Sequence, residues 1–248
     1  MAEVFRHTWW AFAQVYYDLR ALALVGNFFW FLAMLPLVPI VGIPGAYALQ
    51  QAVLQTDAPV TGLQFFVFIV GGTVVGGALA GPGTAALFHV AHRHVEYENI
   101  EARDFWVGFR LNFARAWILF VVDLCLLYGL VVGFIFYTGT GQLLIQALGF
   151  LSLYFVVLWT AAQAYLFPMF IRYDMSLYHL FRNAAVMALS SPGSSIAFFI
   201  IVVVSVVLSM LLIFPAVFLV ASTLALVAMR MTQDRLHAFG VEPEGRIL

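Results

Sequence analysis

Residues 195–229 run for 35 positions without one charged side chain. As one straight helix this stretch would be about 52 Å long at 1.5 Å per residue, well beyond a hydrocarbon core of about 30 Å. A chain carrying such a block is not an ordinary water-facing domain, and the block has to break. Pro215, which follows Phe214, offers the place, because proline removes a helical hydrogen bond and clashes with the preceding turn. Two shorter spans, about 195–213 and 215–229, fit a bilayer better than one long one.

Four other segments are long and apolar enough to cross, roughly 21–48, 61–82, 116–138 and 143–171. Composition agrees. Of the 248 residues 64% are hydrophobic and 9% charged, where soluble domains carry about 25% charge, so a lipid-facing exterior is needed to cover the excess. The net charge of −1 supplies no basic field for nucleic acid. The one cysteine, Cys125, lies in an apolar run, which excludes an intramolecular disulfide and reads as a small hydrophobe. The triplet Ala46-Tyr47-Ala48 resembles a signal-peptide cleavage site. The apolar region before it exceeds the usual roughly 7–15 residues, so it reads as a span.

Arginine placement decides the number of spans. All 11 cationic residues are Arg. Arg6 and Arg20 precede the first span, and Arg93, Arg103, Arg110 and Arg115 separate the second from the third. Arg172 and Arg182 follow the fourth, and Arg230, Arg235 and Arg246 follow the last. The opposite connections, about 49–60, 139–142 and 214, hold none. Six spans put every Arg on one face, which the positive-inside rule assigns to the cytoplasm of a bacterial inner membrane, together with both termini. Five spans would strand the last three outside.

The cytoplasmic segments interleave Arg with aromatic rings, a pattern that suits amphipathic helices in the headgroup region. Such helices are expected at 3–20, 101–115 and 174–190, the third capped by Asp174 and ended by Ser191-Pro192-Gly193. The expected fold class is therefore an all-α membrane protein, in one polytopic domain over 1–248, built from three units of interfacial helix and helical hairpin. Asp18-Arg20-Asn27, Asp104-Arg110-Asn112 and Asp174-Arg182-Asn183 recur in the three units, with unequal spacing.

The second span carries Gly71, Gly72, Gly76, Gly77, Gly81 and Gly83. This small-xxx-small pattern lets a neighbouring helix approach closely, within the bundle as the leading reading or in an oligomer as the alternative. Asp123 is the carboxylate deep in a span, so it needs a partner or a proton. Counting inward from Arg115, Arg172, Arg20 and Arg230 puts Asp123, Gln163, Asn27, Ser222 and Thr223 about 10–13 Å from those arginines. The expectation is one intramembrane polar layer, either a network that sets helix register or a proton or solute site. Pro36, Pro39 and Pro44 preclude a regular helix at the outer end of the first span.

His89, His92 and His94, with Glu96 and Glu98, match no established zinc spacing and read as interfacial histidines, so neither a metal nor a cofactor is expected. The sequence contains no P-loop, dinucleotide fingerprint, nucleophile elbow or HExxH motif. Ser205 and Ser209 are expected to bond backbone carbonyls of their own helix.

Three stretches carry a family resemblance. The first is Asn27-Phe28-Phe29-Trp30-Phe31-Leu32 with Leu35-Pro36-Leu37-Val38. The second runs from Gly81-Pro82-Gly83-Thr84-Ala85-Ala86-Leu87 to Asp104-Phe105-Trp106, Gly108-Phe109-Arg110 and Asn112-Phe113. The third comprises Tyr165-Leu166-Phe167-Pro168, Arg172-Tyr173-Asp174 and Arg182-Asn183-Ala184. Together they resemble the YesL family of bacterial integral membrane proteins. About forty residues separate the Leu-Pro motif from the Gly-Pro motif here, where the family runs almost directly from one to the other. The resemblance implies association with carbohydrate uptake, often beside ABC sugar importers, and supplies no active-site residues. The expected function is that of a non-enzymatic accessory protein contacting lipid and an importer permease. Arg103, Asp104, Arg110, Arg115, Arg172 and Arg182 are its expected partner or headgroup contacts. The alternative is a small secondary transporter using the layer around Asp123, and a membrane enzyme ranks third.

Overall fold

The computed structural model describes residues 2–17, 25–37, 62–97, 100–211 and 219–240. These are helical apart from short connections, with no strand among the described residues. In chain order the helices are α1 (Ala2–Tyr17), α2 (Phe29–Met34), α3 (Gly62–Tyr97), α4 (Ala102–Leu111), α5 (Phe113–Thr138), α6 (Leu143–Arg172), α7 (Leu177–Ser190), α8 (Pro192–Leu211) and α9 (Ala221–Ala238). Among the described residues, four stretches are long and apolar enough to cross a membrane: Val70–Glu96, Phe113–Thr138, Leu143–Arg172 and Pro192–Ser209. Large apolar side chains such as Ile135, Phe136, Leu144, Phe150, Val204 and Val207 stand exposed along them. A continuous apolar exterior of this kind is what a bilayer covers and water does not.

α5 and α6 form an antiparallel pair joined by residues 139–142. Near the connection Gly149 lies against Thr138 and Gly133 faces Ser152, and at the other end Arg115 reaches Phe170 and Asp174. α3 packs antiparallel to α5 on one flank and to the 26–37 segment on another. Both contacts use glycine. Gly77 and Gly81 face Trp117 and Phe120 of α5, Gly76 faces Leu37, and Gly83 touches Ala33. Gly72 is buried and Gly71 is exposed. The small-residue pattern therefore serves packing inside the bundle.

The second expected span, about 61–82, lies within a longer helix. α3 runs unbroken through Pro82 to Tyr97, 36 residues and about 54 Å. Glycine on both sides of Pro82 lets α2 and α5 press against the helix where proline has removed one of its own hydrogen bonds. The histidine-bearing segment 89–96 consequently belongs to a helix and not to a loop. The expected interfacial helix at 101–115 is shorter than its segment: α4 ends at Leu111, Asn112 leaves the helical region with φ −128°, and Arg115 falls in the first turn of α5. α7 is capped by the Ser176 hydroxyl, which accepts from the His179 N–H, and not by Asp174. Of the first expected span only 25–37 is described, with α2 ending at Met34 before Pro36. Residues 18–24, 38–61, 212–218 and 241–248, which include Pro39, Pro44, Arg20, Pro215 and Arg246, lie outside the described residues, as does Glu98.

The core lies where α6 meets α3, α7, α8 and α9, and Tyr165, Leu166, Leu180, Leu226 and Met229 are fully buried there. Pro168 lies inside α6 and cannot donate to the Ala164 carbonyl. The Thr232 hydroxyl of α9 supplies that carbonyl from 3.3 Å while also lying 2.9 Å from its own Ala228 carbonyl. In lipid a freed carbonyl needs such a neighbour. Thr232→Val is expected to lower stability by about 1 kcal/mol, read as a lower melting temperature in detergent, while Thr232→Ser stays close to wild type.

Candidate functional site

Polar chemistry is concentrated in two places, buried pairs within the helices and a rim where the arginines gather. Asp123 on α5 is 7% exposed. Its Oδ1 accepts from Gln163 Nε2 at 2.7 Å and from Trp159 Nε1 at 2.9 Å. Both donors lie on α6 at helical spacing i and i+4, so one face of that helix presents them together. Trp159 also stacks on Phe181 of α7 at 5.6 Å. Asp123 thus ties α5 to α6, and through the indole to α7.

Asn27 sits in a π-helical turn at 25–28, and another π-helical turn at 219–220 precedes α9. Its Oδ1 accepts the Ser222 backbone N–H at 2.6 Å, capping a donor at the start of α9. Gly26 touches Ser222, a close approach that no side chain with a Cβ could make without displacement. Thr223 instead donates to the Leu219 carbonyl of its own helix. Thr232, ten residues and about 15 Å from Ser222 along α9, is the residue that meets α6 beside Gln163. Of the five polar residues expected in one layer, Asp123 bonds Gln163, Asn27 accepts from Ser222, and Thr223 donates to its own backbone.

At the arginine rim, ion pairs join the helix ends. Arg93 on α3 lies 3.0 Å from Asp104 on α4, and Asp104 Oδ2 also accepts the Glu101 N–H. Glu96 on α3 lies between His92 (3.3 Å) and Arg172 of α6 (3.5 Å). Arg115 donates to Asp174 at 2.6 Å and to the Met175 carbonyl at 2.7 Å. Arg235 near the end of α9 donates to Ser194 in the first turn of α8 at 2.8 Å, and the adjacent Asp234 lies 2.7 Å from His7 of α1. Arg230 lies 4.4 Å over the Trp10 ring. Residues 194 and 235 therefore lie side by side, which one straight helix over the intervening residues could not allow.

The three recurring acid-Arg-Asn sets take different partners. Asp104 pairs inward and Asp174 pairs with Arg115, while Asp18 lies outside the described residues. Asn27 caps α9, Asn112 marks the break between α4 and α5, and Asn183 Nδ2 approaches Met175 sulfur at 3.7 Å. No group of three or more His, Cys, Asp or Glu suited to a metal ion occurs among the described residues. Ser209 donates to the Ser205 carbonyl at 2.7 Å, as expected of a helical serine.

Arg103, Arg110 and Arg182 differ from the other expected contacts. They are exposed, and no ion pair involves them among the described residues. Arg110 rests 4.8 Å over the Trp106 ring. Sequence reasoning missed Trp159 and Thr232. The i, i+4 spacing of Trp159 and Gln163 was a signal for the first, and the proline four residues after Ala164 was one for the last. No protein-family profile, curated protein or solved structure matches the chain.

Proposed function

We propose that this chain is a non-enzymatic accessory protein of a bacterial inner membrane that docks to a membrane partner through its arginine rim. The partner implied by the resemblance to the YesL family is an ABC-type carbohydrate importer. The chain crosses six times with both ends in the cytoplasm. Support for the sixth crossing comes from Arg235 beside Ser194, since the chain must reverse between them. The side follows from the arginines gathered at that end.

The observation that carries the docking reading is the division among the arginines. Arg93, Arg115, Arg172 and Arg235 are spent on contacts within the protein, whereas Arg103, Arg110 and Arg182 face outward with exposed Trp106 and Tyr178. Exposed Arg and aromatic side chains are the types that anchor protein interfaces. The test is a gentle-detergent pulldown of the tagged protein from its native membrane, with mass spectrometry of co-purifying proteins. A stoichiometric importer permease or ATPase, lost in Tyr178→Ala/Arg182→Ala, is expected. A protein that purifies alone sinks the reading.

A second reading, a small secondary transporter, is favoured by one feature: an ionisable Asp123 buried within an apolar span.

A further inference from the structure

α4 is amphipathic in an unusual sense, because its acid faces inward and its bases face outward. Asp104 is 7% exposed and bound to Arg93. On the same side Phe105 packs on Phe29 at 5.5 Å, and Gly108 lies against Ala86 and His89 of α3. The opposite stripe is Arg103, Trp106 and Arg110, at helical spacing i, i+3, i+7. Trp106 is 51% exposed. Its ring stacks on Phe109 with 2° between planes at 5.4 Å, and the Arg110 guanidinium covers it. A guanidinium placed over an indole can keep its edge N–H groups free and loses little further entropy on binding a bidentate anion. Among the described residues of this segment, the acid on the exposed side is Glu101, at the N-terminal end of the helix.

Position in the chain says which anion. α5, a helix long and apolar enough to cross, begins at Phe113, immediately after Asn112. The C-terminal end of α4 therefore sits at the edge of the bilayer, and exposed Leu111, Phe113, Ile118 and Val122 continue from it as an apolar surface. We propose that the Arg103–Trp106–Arg110 stripe binds the phosphate of an anionic phospholipid headgroup, with Leu111 and Phe113 against the upper acyl chain. A tryptophan at headgroup level, arginine on phosphate and apolar residues just below match the layers of that ligand. The continuous apolar surface beneath the stripe selects a lipid over a soluble protein. The inference rests on the membrane reading above and leaves the Tyr178–Arg182 face of α7 to the protein partner, so the two can fail separately.

The test is native mass spectrometry of the full chain in detergent, titrated with phosphatidylglycerol or phosphatidylcholine of matched acyl chains. Wild type is expected to hold phosphatidylglycerol more tightly by roughly thirtyfold, the electrostatic gain of two arginines at a surface. Arg103→Gln/Arg110→Gln should bring this down to the phosphatidylcholine level, and Arg182→Gln should leave it unchanged. Arg110→Lys, which keeps the charge and loses the fork, should fall between. Since neither Arg forms an ion pair among the described residues, the lipid-free variants should melt with wild type. If the double variant does not fold, Arg110→Lys decides alone, and wild-type affinity in it overturns the proposal. Equal binding of the two lipids overturns it, as does an unchanged preference in the folded double variant. Displacement of lipid by millimolar inorganic phosphate would identify free phosphate as the ligand and overturn it too.

Discussion

Gly81→Leu is expected to prevent the normal closure of α3 on α5. A Cβ at Gly81 would lie 2.6 Å from the Ala116 carbonyl oxygen, 2.8 Å from Phe120 Cβ and 3.0 Å from Trp117 Cα. Two of these three are backbone atoms and the third is a Cβ, so no side-chain rotation relieves the clash and the helices must move apart. Overpacking of a well-packed interface costs about 1–3 kcal/mol where neighbours can adjust, and here they cannot, so at least about 3 kcal/mol is expected. Separation would also break the Trp117 indole contact to the Val74 carbonyl at 2.9 Å. The control is Gly71→Leu, whose Cβ would meet nothing within 4 Å among the described residues and which should be nearly neutral. Thermal melting in detergent, followed by the loss of monodisperse protein on size exclusion, reads both. Equal melting of the two variants would show that the α3–α5 seam is not the close contact described.

Asp123 gives the second large effect. Asp123→Ala removes the acceptor shared by Gln163 and Trp159 and leaves two part-buried donors without it. Each such loss costs about 1–3 kcal/mol, so a total of about 2–6 kcal/mol is expected. Asp123→Asn keeps a carbonyl oxygen able to accept from both donors and should retain most of the stability. This difference separates the two functional readings. If Asp123 only sets the register of α5, α6 and α7, the Asn variant folds and behaves like wild type in every respect. If Asp123 carries a proton or binds a solute, the Asn variant folds normally yet loses flux in reconstituted proteoliposomes. Trp159→Phe provides a check on the geometry, since it keeps the stack on Phe181 and removes one donor, with an expected cost of about 1 kcal/mol.

Much of the candidate site was legible one helix at a time. The need of Asp123 for a partner or a proton followed from one carboxylate in an apolar run, and the structure supplies Gln163 and Trp159 as its donors. The inward pairing of Asp104 was not legible, although its neighbours Arg103 and Arg110 looked equivalent to Arg93 in sequence. On a helix, direction depends on rotation about the axis, and the rotation of α4 is set by Phe105 meeting Phe29 and Gly108 meeting α3. Counting depth from the nearest arginine treated the helices as parallel rods ending at one plane. On α9 Ser222 meets Asn27, while Thr232, ten residues along, meets α6.

What the sequence by itself determined is the class of protein: helical, apolar outside, with its cations confined to a few segments between the apolar runs. These properties are sums over consecutive residues, since transfer to lipid adds along a span of about 20 positions and does not depend on what the span touches. The tertiary structure alone decided which polar groups meet. Pairing of Asp123 with Trp159, of Asn27 with Ser222, and of Thr232 with the carbonyl freed by Pro168 joins residues 36, 195 and 68 positions apart. Such contacts depend on the crossing and rotation of whole helices, and these are set by glycine-sized gaps and ring packing that no local pattern records.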